Sequence, residues 1–168
     1  FMNSLIFFNK ISVNIFSNVF LKYAVAIISL SAIGHFVPEA MGLGTSTVLS
    51  AVSGEFVLYF AFIILVGKIL ATSISLGFGF FGGVFSPALL VGASAGAVVA
   101  ELFVVVGFLE KFEPALVITG MAAVTGAVIG APICMVVIVM ELTSSYIYAL
   151  SSLVGLTLSV SLSHILFG

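Results

Sequence analysis

Long apolar stretches, separated by single charged residues, run through the whole chain of 168 residues. Four of them come close to the ~20 residues that a helix needs to cross a membrane. The alternating pattern of a half-buried strand is absent, so stretches of this length predict helices. The four predicted spans are residues 22–39, in which a proline ends the helix, residues 55–76, residues 87–107 and residues 146–167.

Glycine and proline interrupt the apolar pattern at two further places. One stretch is divided into the pieces 115–128 and 132–142, and each piece is too short to cross a membrane as a regular helix. We expect two helices that meet at a break, with Pro132 in the first turn of the second. The other break is the glycine-rich segment 77–90. Broken helices at membrane depth are a main sequence sign of a transport site.

The composition places the chain in a membrane. Hydrophobic residues make up 62% of the sequence and charged residues 6%, whereas soluble domains carry about a quarter charged residues. A water-soluble globule and intrinsic disorder are therefore excluded. The net charge of −2 leaves no basic surface for nucleic acid. We predict an all-α integral membrane protein, a multi-pass bundle of tilted and broken helices, and expect it in the cell membrane.

Few residues are suited to catalysis or metal binding. Cys134 is the only cysteine, and we expect it to be inert core. His35 and His164 have no carboxylate or cysteine partner at metal-ligand spacing. The sequence contains no nucleophile–base pair and no phosphate-binding loop. We therefore predict no enzyme, no metal site and no bound cofactor.

The sharpest local feature is the segment that ends in Ser86 and Pro87. Proline suits the first turn of a helix, and serine before it is a good N-cap, so we expect a helix to start near Pro87. A helix N-terminus presents free amides and about half a positive charge, which makes it an anion site without a cationic side chain. The alternative is an ordinary capped helix start inside a glycine-rich loop.

Four segments, in this order and spacing, resemble the CLC chloride channels and chloride/proton antiporters. GGVFSPALLVGASAGA at 82–97 resembles the family's GxFxP region, after which a helix points its N-terminus at a central chloride ion. Residues 34–54 resemble the family's connection after an inward-facing helix, and residues 65–79 resemble the helix before the anion loop. Residues 120–146 resemble the family's broken helix pair.

The resemblance implies a binding site made of backbone. The amides of Val84 and Phe85 would bind the anion, while Gly83, Ser86 and Pro87 would shape the turn. Chloride or another small anion would be the substrate, with no cofactor. Amides suit this task because conduction needs weak sites, and a fixed cation would hold chloride too tightly to let it leave.

The resemblance covers about residues 18–168 and implies the C-terminal half of an inverted-repeat transmembrane domain. Residues 1–17 are then the remnant of a preceding helix, and residues 1–168 are a single transmembrane domain fragment. The family's GSGIP-like serine motif and GxEGP-like gating motif do not occur in this sequence, and we expect them in a missing N-terminal half. Channel and antiporter therefore both stay open, as does the orientation in the membrane.

Family members are homodimers with a separate pore in each subunit, and the interface corresponds to about residues 132–167. We expect many apolar side chains of this region to be exposed in the chain by itself. The lipid bilayer, the missing half and, in an antiporter, protons complete the expected partners. Three alternatives stay open: a fluoride-type member of the family, a truncated non-transporting membrane subunit, and an unrelated inverted-repeat carrier.

Two charged residues inside apolar stretches are further candidates. A carboxylate in a membrane segment is a functional candidate by default, which makes Glu141 a candidate for proton transfer. Its alternative is a carboxylate that reaches water or caps the next turn through Thr143 and Ser144. Lys68 is a candidate for adding positive potential near the anion route. Its alternative is a side chain that extends its ammonium group to the membrane surface or forms a local hydrogen bond.

One small-residue pattern predicts packing rather than chemistry. Gly92 and Gly96 lie four residues apart, and Ala88 and Ala100 extend the same face. Such a stripe lets two helices approach closely, and we expect this to be its whole role.

Overall fold

The computed structural model describes residues 2–15, 19–108 and 114–167. Within these ranges the backbone forms α-helices, one short 3-10 helix at Pro38–Ala40 and connecting turns, and no strand. In chain order the α-helices are α1 (Met2–Ile15), α2 (Val19–Phe36), α3 (Thr45–Val52), α4 (Leu58–Gly77), α5 (Phe85–Val105), α6 (Pro114–Ile129), α7 (Pro132–Thr143) and α8 (Tyr146–Phe167).

The all-α prediction is confirmed, and each predicted span corresponds to a helix. In the described ranges, four helices are long and apolar enough to cross a membrane: Val19–Phe36, Leu58–Gly77, Phe85–Val105, and Tyr146–Ser163 within α8. α5 begins at Phe85 rather than at Pro87 and ends at Val105 rather than near Gly107. The chain is thus a multi-pass integral membrane protein.

The short helix α3 was not predicted. It has only eight residues, too few to be stable as an isolated helix. Gly44 precedes it in the left-handed conformation with φ 73°, and Thr47 and Ala51 are buried. α3 lies against α5 and α6, so its formation depends on tertiary packing that local sequence does not reveal.

The predicted break between α6 and α7 is confirmed. α6 ends at Ile129, and Pro132 stands in the first turn of α7, where its missing amide costs no hydrogen bond. Gly130 has φ 73°, a conformation that glycine adopts without a steric penalty. Its N–H donates to Gly126 O at 2.9 Å, which closes the last turn of α6.

The centre of the fold is the crossing of α5 and α6, where the two backbones nearly touch. A Cβ added to Gly92 would lie 2.5 Å from Gly120 O, and one added to Gly96 would lie 2.5 Å from Leu116 O. The small-residue stripe therefore acts in packing, as predicted. The buried side chains of the crossing are small or aliphatic: Leu90, Ala93, Ala97, Val117, Ile118, Met121 and Ala122.

α8 packs on α6 and α7 and leaves an apolar surface uncovered. Leu156 is buried and contacts the Gly126 position, and Ser159 Oγ donates to Ala123 O at 3.0 Å. The predicted exposure of apolar side chains over residues 132–167 is confirmed. The predicted burial of Cys134 is wrong, because this α7 residue is exposed. Exposed apolar residues of α7 and α8 include Ile133, Val137, Leu142, Ile147, Leu150, Val154, Leu158 and Ile165.

Candidate functional site

The candidate anion loop is the non-helical segment between α4 and α5. α4 ends at Gly77, and Gly79 turns the chain with φ 93°, a left-handed conformation that favours glycine. Gly82 and Gly83 are exposed, and Val84 is the N-cap of α5. The loop therefore delivers Phe85 to the first turn of a helix of 21 residues.

The predicted position of Pro87 is confirmed, whereas the predicted N-cap role of Ser86 is wrong. Pro87 is the third residue of α5, and no side chain caps the helix. Ser86 lies inside the first turn, and its Oγ donates to Leu43 O at 2.6 Å. The reason is tertiary: Leu43, in the connection between the 3-10 helix and α3, offers the Ser86 hydroxyl an acceptor outside its own helix.

The first turn of α5 leaves backbone donors unpaired. Its first closing bond runs from Ala88 N to Val84 O at 3.0 Å, and Pro87 has no amide to give. In the described part of the chain, the amides of Val84, Phe85 and Ser86 have no backbone acceptor. Three unpaired N–H groups at the positive end of a long helix form an arrangement suited to a small anion.

A cavity of about 200 Å³ lies beside this loop. Gly82, Gly83 and Pro87 border it, and Lys68 is the charged residue in its wall. The rest of the wall comes from α2, from α4 and from the connection after the 3-10 helix: Leu30, Ala40, Met41, Gly42, Ala71, Thr72, Ser75 and Leu76. The cavity thus joins the amide end of α5 to a buried cation.

Lys68 is buried in α4, with 4% of its surface exposed. Its Nζ donates to Ala40 O at 3.0 Å and to Gly42 O at 2.7 Å. Of the alternatives, the local hydrogen bond is confirmed, and extension to the membrane surface is wrong because the ammonium group stays inside the fold. No carboxylate pairs with Lys68 among the residues that the structure describes.

Glu141 lies apart from this arrangement. Its side chain is exposed on α7, and it does not border the cavity. Thr143 Oγ1 donates to Val139 O at 2.7 Å rather than joining Glu141 in a cap. A role of Glu141 in proton transfer stays a prediction. Within the described residues, no group of three His, Cys, Asp or Glu side chains could hold a metal ion.

The backbone acceptors at this site were missed by the sequence analysis. The carbonyls of Ala40, Gly42 and Leu43 hold Lys68 and Ser86, yet every residue carries a carbonyl and nothing in the sequence marks these three. The only sequence signal nearby is the pair of glycines, Gly42 and Gly44, which both adopt positive φ.

Known proteins similar to this chain include transporters. An uncharacterized protein of Methanocaldococcus jannaschii is 31% identical over 130 residues, which are 75% of this chain and 31% of that protein. The H(+)/Cl(−) exchange transporter ClcA of Vibrio parahaemolyticus is 27% identical over 134 residues, 79% of this chain and 29% of the transporter. ClcA of Vibrio cholerae strain O395 is 34% identical over 113 residues, 66% of this chain and 24% of the transporter.

The chain thus spans between about a quarter and a third of the length of these relatives. The family model of the voltage gated chloride channels matches residues 1–164, nearly the whole sequence. This match includes residues 1–17, which precede the four resembling segments. The chain therefore belongs to the voltage gated chloride channel family.

Proposed function

We propose that this chain forms one wall of a chloride pathway across the membrane, with the anion held by the amides of Val84 and Phe85. Gly83, Ser86 and Pro87 shape the turn that presents them. The observation that carries the proposal is the group of unpaired amides at the start of α5, beside a cavity bordered by Gly83 and Pro87.

The chemistry of the site supports transport rather than permanent binding. Backbone amides attract an anion through partial charges, so the ion can leave again. The one cation in the cavity wall, Lys68, already donates to two carbonyls. Proton-coupled exchange is a second candidate function, since two of the relatives are named as H(+)/Cl(−) exchange transporters.

We also propose that the rest of the pathway comes from another half of the protein, and that α7 and α8 form a homodimer interface. The length of the relatives and the exposed apolar surface of α7 and α8 support this. We expect the 168-residue chain, reconstituted alone, to give no chloride efflux from loaded liposomes, whereas the full-length gene product does. Robust efflux from the 168-residue chain would favour a self-contained carrier.

The amide proposal is tested by comparing Phe85→Pro with Phe85→Leu in the full-length gene product. Proline removes the Phe85 N–H and disfavours helical angles at Val84, whereas leucine keeps both amides. Loss of a hydrogen bond to a charged partner costs about 1.5–3 kcal/mol, so chloride affinity should fall roughly ten- to a hundredfold in Phe85→Pro.

Isothermal titration with chloride measures this difference. The comparison uses variants that elute as folded dimers in size-exclusion chromatography, with Phe85→Leu as the matched control for loss of the aromatic ring. Equal chloride affinities in the two variants would show that these amides do not hold the ion. Titration with fluoride separates the fluoride-type alternative, which requires tighter binding of fluoride than of chloride.

A further inference from the structure

A short segment of backbone is tied to the anion loop from two sides. We call residues 40–43 the carbonyl strap. It starts at Ala40, the last residue of the 3-10 helix, and leads toward α3. Gly42 with φ 66° lies inside it, and Gly44 with φ 73° follows it. Both glycines adopt the left-handed conformation, which residues other than glycine rarely adopt.

On one side the carbonyl strap is held by Lys68 of α4. Nζ donates to Ala40 O at 3.0 Å and to Gly42 O at 2.7 Å. The Lys68 side chain is buried, and these two carbonyls are the acceptors that the described residues provide for its ammonium group. An ammonium has three donors, and two of them are committed to the strap.

On the other side the carbonyl strap is held by Ser86 of α5. Ser86 Oγ donates to Leu43 O at 2.6 Å, between residues that lie 43 positions apart in the chain. Ser86 follows Phe85 directly, and its own amide is one of the unpaired donors of the first turn. The carbonyl strap therefore connects a buried cation in α4 to the amide end of α5.

We propose that Lys68 is a positioning residue for the anion site, acting through the carbonyl strap rather than as an anion ligand. By holding the carbonyls of Ala40 and Gly42 it fixes Leu43 O, and this acceptor fixes Ser86 and the orientation of the neighbouring amides. The inference rests on the proposed function, because the amides must bind chloride for their orientation to matter.

The competing explanation is a purely electrostatic role, in which the charge of Lys68 attracts the anion across the cavity. The two explanations differ in how Lys68 and Ser86 combine. Residues that act through one shared segment show non-additive effects, whereas independent effects on binding free energy add. A double-mutant cycle on chloride affinity therefore separates them.

The cycle uses Lys68→Met, Ser86→Ala and the double variant in the full-length gene product, with chloride as the titrant. Methionine keeps an unbranched apolar chain without donors or charge, and alanine keeps the Ser86 amide. We expect roughly tenfold weaker binding in Lys68→Met and a few-fold weaker binding in Ser86→Ala. The double variant should bind no more than about twofold more weakly than Lys68→Met. If the loss of chloride affinity in the double variant instead equals the product of the two single losses, the proposal is overturned.

Thr125→Val provides the matched control for the cycle. Thr125 Oγ1 is buried and donates to Met121 O within α6 at 2.7 Å, a bond that does not involve the carbonyl strap. Thr125→Val by itself should leave chloride affinity unchanged, and its combination with Lys68→Met should bind chloride as Lys68→Met does. Coupling of the same size in this control would reveal a general loss of structure and overturn the specific role of the strap.

A conservative variant covers the case in which Lys68→Met does not fold. Lys68→Gln removes the charge but keeps two N–H donors. If Lys68 acts through hydrogen bonds, this variant should keep chloride affinity within about threefold of the parent protein. A loss of about tenfold or more that multiplies with the loss in Ser86→Ala would assign the effect to charge.

A spectroscopic readout distinguishes failure of this inference from failure of the proposed function. Labelling valine carbonyl carbons and phenylalanine amide nitrogens selects Val–Phe pairs, which in these 168 residues occur only at Val19–Phe20 and Val84–Phe85. Without chloride, Lys68→Met, a substitution 17 positions away in the chain, should shift the Phe85 amide resonance and leave that of Phe20 unchanged. An unmoved Phe85 signal refutes the strap; a parent protein whose Phe85 signal ignores chloride refutes the anion site instead.

Discussion

Substitution of Gly92 by alanine tests whether the crossing of α5 and α6 holds the fold together. A Cβ at this position would lie 2.5 Å from Gly120 O and 2.7 Å from Met121 Cα. Both of these atoms belong to backbone, so no side-chain rotation relieves the contact. The two helices must move apart until the new Cβ reaches an ordinary contact distance of at least 3.4 Å.

The cost follows from this separation. A gap of about 0.5–1 Å forfeits a quarter to a half of the dispersion attraction between facing atoms. The buried side chains of Ala93, Ala97 and Val117 lie in the core at this crossing. Overpacking costs about 1–3 kcal/mol, and backbone-on-backbone contact places Gly92→Ala near the upper end. Alanine returns about 1 kcal/mol of helix propensity, which leaves a net loss of about 2 kcal/mol in the free energy of unfolding.

Thermal unfolding of the detergent-solubilised full-length gene product, followed by circular dichroism, measures this loss. The unfolding entropy grows with chain length, so in a protein considerably longer than this chain a destabilisation of about 2 kcal/mol lowers the midpoint by about 2–4 °C. Gly34→Ala in α2 is the matched control, because its Cβ would meet only the flexible Met41 side chain, at 3.3 Å. Equal midpoints for Gly92→Ala and Gly34→Ala would refute the close-packed crossing.

Three further substitutions or modifications probe other parts of the fold. Gly44→Ala forces alanine to φ 73° and places its Cβ 2.6 Å from Leu90 Cδ2. This substitution should lower the free energy of unfolding by about 1–2 kcal/mol, and an unchanged thermal midpoint would contradict that expectation. Gly126→Ala would place its Cβ against the side chains of Leu156 and Met135 rather than against backbone, and side chains can change rotamer. It should therefore destabilise the protein less than Gly92→Ala; the opposite order of thermal midpoints would count against the geometry. Cys134 is exposed, so a maleimide should modify one thiol in the folded 168-residue chain, counted by mass spectrometry. An unreactive thiol would show that this face of α7 is covered, by another helix or by a second copy of the chain.

The sequence by itself determined the class of the protein and the position of its long helices. The length of the apolar runs sets which segments are long enough to span a membrane, and this depends only on neighbouring residues. The break before Pro132 and the first-turn position of Pro87 were predictable for the same reason. Proline restricts its own φ and lacks an amide wherever it stands, so its effect on a helix is local.

Only the tertiary structure decided how the candidate site is held. Ser86 bonds to Leu43 O and not to its own helix, and Lys68 bonds to Ala40 O and Gly42 O; these acceptors lie 26 to 43 positions away in the chain. Since every residue has a carbonyl, sequence carries no mark of which one a distant donor will meet. The exposure of Cys134 could not be predicted either, because a helix that is apolar on all sides has the same sequence pattern whether its faces are covered by protein or not. Packing between helices decides these features, and the sequence pattern within one helix does not encode how that helix packs against the others.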